Sequence, residues 1–481
     1  MLFNINKFHL FVLLTWQFSI FFASQMIYPI FSNYVPQWRC SPNESFTSNC
    51  TVFLACKETV EFDEVAFHSA ALEFDWICGA SAYFASLFSQ IQFFGVLLGT
   101  ILFGTLSDSF GRRPTAIVAL STGIAISFCS GLAPNWQLLL ASRFFVGLSI
   151  GGTVVGVCTY VMEMLLPEQR MALRAFFNWG VARLMMTLIC YVFPEWRSSC
   201  FANALAAMPA LLIVLFICPE SPTWLHSKGR VEAMRESEKR IARVARVPYV
   251  EVEHKEAIKS QSLVDVIREW RYAKRLFVLW LMWFTASLCG YATDLNSSRI
   301  SGNLFINQIL FSVLIAASKI LLVALDTLNP AFNRRKLHQY AQAIVCLCFF
   351  ILTSLLLFRY EGVAILVVNL IGTVFIEYTW DACYLCAVEA MPTAMRASSL
   401  GSCSLVARIG ALLSPTLFYF ATIWAPSAYV TVVLIGMINL TVSCLFLVET
   451  KGVNLDTVDT NGNNPQEKIS MLAKESSSVQ P

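Results

Sequence analysis

The sequence predicts an all-α membrane protein, with twelve transmembrane helices in two six-helix bundles, and three observations predict it. Of its 481 residues, 57% are hydrophobic and only 14% charged, against about 25% charged in soluble domains. Apolar runs of roughly 20 residues, the length a helix needs to cross a bilayer core, recur twelve times. The two halves also repeat one charged punctuation. Glu163 and Arg170 return as Glu389 and Arg396, 226 residues later, and Glu220 returns as Glu449, 229 residues later. Asp108 with Arg112 and Arg113 returns as Asp326 with Arg334 and Arg335. Parallel duplication of a six-span unit explains all of these offsets, and such repeats build transporters with a site between the halves.

The first run, 9–31, is longer than the apolar core of a signal peptide and has little basic lead-in, so it reads as a retained span. A polar loop over 32–80 follows. Its sequons at Asn43 and Asn49 make sense only in the secretory lumen. Its four cysteines, Cys40, Cys50, Cys56 and Cys78, predict two disulfides in one of three pairings. Runs at 82–103, 114–133, 137–161, 172–192 and 201–218 complete an N-terminal bundle over 1–218. Residues 219–274 form a charged linker in which Glu232 to Arg246 reads as an amphipathic helix. The C-terminal bundle, 275–448, holds runs at 275–295, 304–326, 337–358, 363–388, 397–423 and 428–448. The tail, 449–481, is polar, rich in Asn and Ser, and reads as disordered.

Lys and Arg set the expected orientation. With a cytoplasmic N-terminus, 25 of the 34 basic residues fall on the inside and only Arg39, Lys57, Arg197, Arg299 and Arg359 on the outside. That bias places both termini in the cytoplasm. A net charge of +3 carries no signal for a nucleic-acid partner.

Gly104-Thr-Leu-Ser-Asp108-Ser-Phe-Gly111-Arg112-Arg113, joining the second and third spans, resembles the signature loop of the major facilitator superfamily. Pro219-Glu-Ser-Pro-Thr-Trp224, Gly229-Arg230 and Glu449-Thr-Lys-Gly452, with the cysteine-bearing first loop, resemble the organic ion transporter family of solute carriers along essentially the whole chain. The resemblance implies a plasma-membrane carrier whose bundles rock around a central site. It implies that Asp108, Arg112, Arg113, Glu163, Arg170, Glu220, Glu389, Arg396 and Glu449 form gating networks that hold one state. There are departures. The second signature loop reads Asp326-Thr-Leu-Asn-Pro-Ala-Phe-Asn-Arg334-Arg335, Thr223 stands where the family usually has Arg, and the first loop has four cysteines where many relatives have six.

A charge at membrane depth costs at least about 2.5–3.5 kcal/mol on insertion scales, so each one needs a reason. Arg143, Arg183, Lys319 and Arg408 lie within spans, as do Glu377 and Asp381, four apart on one face of the tenth. Arg183 and Arg408, 225 residues apart, occupy matching places in the two repeats. Arg143 is expected to be neutralised in a buried pair. Three deep cations (Arg183, Lys319, Arg408) against two acids would leave a positive, anion-selective core. Ser404-Leu-Val-Ala-Arg408-Ile-Gly-Ala-Leu-Leu-Ser-Pro415 and Ala316-Ala-Ser-Lys319 resemble the organic anion branch, which implies that Arg408 and Lys319 contact anionic substrate. Arg183, Tyr291, Tyr378, Glu377 and Asp381 are the other candidate substrate residues. Trp283, Phe375, Trp380, Tyr384, Phe176, Phe177 and Trp179 could furnish aromatic walls.

The sequence has no phosphate loop, no His/Cys cluster at metal-ligand spacing and no nucleophile beside a base, so no enzyme, cofactor or metal is expected. The expected function is secondary transport of small organic anions by exchange. Its rivals are a carrier of carnitine-like zwitterions or organic cations, and a receptor or scaffold that keeps the fold without transporting.

Overall fold

The structure is a computed structural model that describes residues 5–56, 60–251, 262–300, 302–328, 333–360 and 362–447. Glu449 and the tail lie outside the described residues. Eleven described helices are long and apolar enough to cross a membrane. In the first half the spans are α1 (Lys7–Ala23, continued by short turns to Ser32), α2 (Ala82–Phe110), α3 (Arg112–Ser130), α4 (Trp136–Met164), the pair α5 (Pro167–Phe176) and α6 (Trp179–Val192), and α7 (Trp196–Phe216). The amphipathic linker helix is α8 (Val231–Ala245). The second half comprises α9 (Trp270–Asn296), α10 (Leu304–Leu328), α11 (Arg334–Leu357), α12 (Val363–Glu389), α13 (Thr393–Ile423) and α14 (Ser427–Phe446).

Asparagines start several of these helices. Asn6, Asn135, Asn178 and Asn333 each accept a hydrogen bond from the backbone amide three residues on, satisfying a donor that the first turn leaves without a partner. One such cap changes the expected fifth span. The run at 172–192 is not one helix: it breaks at Phe177 and Asn178, where Asn178 caps α6 afresh. The Phe177 carbonyl freed by the break accepts from the Trp16 indole at 2.9 Å. A broken span survives at membrane depth because neighbouring helices satisfy the exposed backbone groups.

Small residues let helices meet. A Cβ at Gly95 would lie 2.1 Å from the Phe144 carbonyl oxygen, and one at Gly147 would lie 2.0 Å from that of Gln92. The α2–α4 contact is therefore backbone against backbone, as in small-xxx-small packing. Gly111 adopts φ +117 between α2 and α3, a conformation that side chains disfavour, and the Glu220 carboxylate fills the space a Cβ would need.

The first loop carries a two-stranded ribbon, β1 (Trp38–Arg39) against β2 (Glu61–Phe62). Its disulfides are Cys40–Cys56 and Cys50–Cys78, one of the three pairings the sequence left open. Arg39 pairs with Glu61 across the ribbon and holds that carboxyl below its usual range. Glu73 docks the loop onto the bundle, accepting from the Trp196 indole at 2.6 Å and from Arg197 at 2.5 Å. Asn43 and Asn49 are both exposed.

Candidate functional site

The repeated punctuation residues gather at the membrane face opposite the first loop. Gly111 ends α2 so sharply that the α3 N-terminus presents the amides of Arg112 and Arg113 to Glu220, at 3.0 Å each. A carboxylate there meets both the free amides and the positive end of the helix dipole. The Arg112 guanidinium joins Asp108 at 2.6 Å and Glu163 at 3.1 Å, and Glu163 also accepts from Ser221 at 2.5 Å. Arg113 donates instead to the Val214 and Leu215 carbonyls, and Arg170 to that of Met162.

The second half repeats the centre of this cluster. Arg334 joins Asp326 at 2.7 Å and Glu389 at 3.4 Å. The Asn that replaces glycine in the second signature loop does not prevent it, because Asn333 caps α11 and presents Arg334 to both acids. Like Arg170, Arg396 forms no ion pair among the described residues, but its buried Nε has no hydrogen-bond partner. Each of these ion pairs joins residues of the same half.

At mid-membrane the structure separates the deep charges. Among the described residues Arg143 meets no carboxylate, contrary to the expected pair. Its guanidinium lies over the rings of Tyr28 and Phe88 (4.7 and 5.1 Å) and donates to Gln25 and to the Cys200 sulfur. Ring faces and dipoles stand in for a counter-charge there. Lys319 is clasped by Glu377 at 2.8 Å and Asp381 at 2.7 Å, both on the same face of α12. Beside it the Tyr378 hydroxyl donates to the Ser318 carbonyl. One cation between two carboxylates leaves a cluster of charge −1, so Lys319 adds no surplus positive charge.

Arg183 pairs with Asp294, and its other terminal nitrogen donates to Gln308 at 2.7 Å. The sequence reading missed both partners. Asp294 is a third acid at the end of the seventh span, where a charge passes for part of the loop, and Gln308 is uncharged. With it, the three cations counted for the core, Arg183, Lys319 and Arg408, balance Asp294, Glu377 and Asp381, and the one positive charge left over is Arg143, held among rings and neutral acceptors.

That balance is uneven in space. Arg408 forms no ion pair among the described residues, remains partly exposed, and leaves Nε without a partner. Among the described residues its guanidinium meets only neutral groups, the Met26 thioether at 3.9 Å, a weak acceptor, and the Tyr291 hydroxyl. Tyr291 also donates to that sulfur, at 3.5 Å, and packs at 4.9 Å on the Phe93 ring. Met26 and Phe93 from the first half thus face Tyr291 and Arg408 from the second. Trp283 donates to the Cys383 carbonyl and meets Trp380 edge-on, as a packing residue does. Among the described residues no cluster of metal-ligating side chains occurs.

The family described as sugar (and other) transporter matches residues 56–461. A Caenorhabditis elegans protein described as uncharacterized is 38% identical and aligns over 98% of both chains. Mouse solute carrier family 22 member 7 is 28% identical over 83% of this chain and 75% of its own. Human solute carrier family 22 member 16 is 26% identical over 84% and 71%. The inward-open xylose transporter XylE from E. coli superposes with a TM-score of 0.64 at 14% identity, over 95% of this chain and 98% of that one, and so shares its fold. The solute carriers and this neighbour are transporters, not enzymes. A twelve-span architecture built on the duplicated signature loop, with relatives in solute carrier family 22, makes this chain a member of the sugar (and other) transporter family of the major facilitator superfamily.

Proposed function

We propose that this secondary transporter carries small organic anions through alternating access, with Arg408 as the anchor for the anionic group. The observation that carries the reading is Arg408 itself: a partly exposed guanidinium at mid-membrane that, among the described residues, forms no ion pair and meets only the neutral Met26 thioether and Tyr291 hydroxyl. A guanidinium so placed offers parallel donors to a carboxylate or sulfonate. Tyr291 and Phe93 supply an aromatic wall for the apolar part of such a ligand. Exchange against a dicarboxylate completes the reading. The protein is proposed to sit in the plasma membrane with both termini cytoplasmic, supported by the basic-residue bias, and to be glycosylated at the exposed Asn43 and Asn49.

One observation favours a second reading. The Glu377–Lys319–Asp381 cluster carries net negative charge in the same half as Arg408, so a zwitterion would find a partner for each end. Uptake of a labelled aromatic anion and of labelled carnitine, with and without dicarboxylate preloading, tests both readings. Saturable anion uptake that the preload stimulates, and that Arg408→Glu abolishes in protein still at the surface, supports the first. Carnitine uptake lost in both Arg408→Glu and Glu377→Gln/Asp381→Asn supports the second. Anion uptake that survives Arg408→Glu overturns the anchor.

A further inference from the structure

Arg183 belongs to the first half of the molecule, and everything its guanidinium touches belongs to the second: Asp294 on α9, Gln308 on α10, and the Phe311 ring at 5.3 Å. Only 2% of its side chain is exposed, and 14% of that of Asp294. Two packed charges therefore join bodies that alternating access must separate.

The seam around them is close-packed along the whole of α6. A Cβ on Gly180 would lie 2.5 Å from the Ala316 nitrogen, so α6 and α10 meet backbone to backbone at one end. Tyr191 meets Phe305 edge-on at the other. The same face is closed elsewhere between the halves: Gln90 donates to Thr416 at 2.9 Å, and Tyr83 meets Tyr419 at 5.6 Å. The Tyr191, Gln90 and Tyr83 contacts lie on the side of the first loop, and the Gly180 contact lies at mid-membrane. On the opposite side, the ion pairs given for Arg112 and Arg334 each join residues of one half, while α5 packs on α10 between the halves. Asp294 follows Tyr291 by about one helical turn toward the loop side.

The duplication makes the comparison instructive. Arg183 and Arg408 are repeat mates, and each reaches into the opposite half. Arg183 finds a carboxylate on the seventh span, whereas Arg408 finds a thioether on the first. Each leaves a buried Nε without a partner, but the Arg183 terminal nitrogens meet a carboxylate and an amide oxygen, whereas Arg408 meets no charged group among the described residues.

We propose that Arg183, Asp294 and Gln308 form a charged latch between the halves that closes the loop side, and that its breakage limits opening toward that side. The latch rests on the alternating-access reading but not on the identity of the substrate. Opening must strip a buried guanidinium and a buried carboxylate of their partners, so the closed arrangement is favoured until water or a ligand replaces them. Arg183 is thus a positioning residue rather than an anchor in this conformation.

The test reads conformation, not transport. In the full-length chain with the exposed Cys129 and Cys444 replaced by Ser, Gln90→Cys reports the seam through its rate of reaction with a membrane-impermeant maleimide from the loop side. Arg183→Gln and Asp294→Asn should each raise that rate about tenfold, the effect of a population shift of about 1.4 kcal/mol. The swap Arg183→Asp/Asp294→Arg should return it toward the parent. If the charge variants fail to reach the surface, Gln308→Leu, which keeps the ion pair and removes one acceptor, should still raise the rate severalfold. An unchanged rate in every variant that reaches the surface overturns the latch and leaves the transport reading standing. A raised rate in a protein that moves no organic ion leaves the latch standing and overturns the transport reading.

Discussion

Arg143, Arg183 and Arg408 are three guanidiniums at membrane depth, satisfied in three different ways. Arg143 is wholly buried among aromatic rings and neutral acceptors, Arg183 is bound to a carboxylate across the interface, and Arg408 keeps most of its donors unused. Their substitutions should therefore fail differently. Arg143→Ala removes a large fully buried side chain and both ring contacts. It should cost on the order of 3 kcal/mol, read as a lower thermal midpoint of the purified protein, with KM unchanged in the molecules that fold. Arg408→Lys keeps the charge and loses the planar fork. Uptake should weaken through a KM raised about tenfold while the midpoint stays where it was. An Arg408→Lys protein with parental KM would place the anion elsewhere.

Among the elements, the glycine contacts give the sharpest contrast. Gly147 faces the Gln92 carbonyl with no room for a Cβ, whereas a Cβ on Gly104 meets only a Val155 methyl at 3.7 Å. Gly147→Ala should push α2 and α4 apart and abolish surface expression. Gly104→Ala, in the same helix–helix neighbourhood, should be tolerated and should stabilise by up to about 1 kcal/mol, since a helical Gly forfeits more chain entropy than Ala. Equal surface levels of the two would refute the packing. In the first loop, digestion without reduction should release peptides joined as Cys40–Cys56 and Cys50–Cys78, and reduction should free both. A Cys40–Cys50 peptide would contradict the fold of that loop.

For the whole molecule, two charge clusters brace the ends of the two halves and the Arg183 latch braces the seam between them. Glu163→Gln removes the charge that Arg112 and Ser221 share, so α3, α4 and the segment after α7 lose their common anchor. Turnover should fall tenfold or more with KM within about twofold, because the site at Arg408 is untouched. Glu389→Gln, which loosens Arg334 in the mirrored position, should behave alike. A mutant that changed KM alone would argue that these residues meet substrate rather than set the halves' geometry.

Composition, run length and the duplicated Glu–Arg spacing determine the fold class by themselves, because crossing a bilayer imposes a length and a hydropathy that any reader of the chain can count. The signature-loop acids and arginines are legible for the same reason: Asp and Glu at a membrane face need a partner, and the repeat names it. The break at Asn178 was less visible. Its apolar run continues through Phe176 and Phe177, and only a capping asparagine marks the stop. What the sequence could not supply is which charge meets which. Counting cations and acids along the spans predicts a positive core, but counting treats Lys319 as available and passes over Asp294 at a helix end. Only the tertiary structure puts Lys319 between Glu377 and Asp381, Arg183 against Asp294 and Arg408 beside a sulfur, because pairing at depth depends on which helix faces turn toward each other. The reason is physical: hydropathy is a property of each residue in its own segment, whereas the energy of a buried charge belongs to a pair, and its partner here lies as much as 111 residues away in sequence.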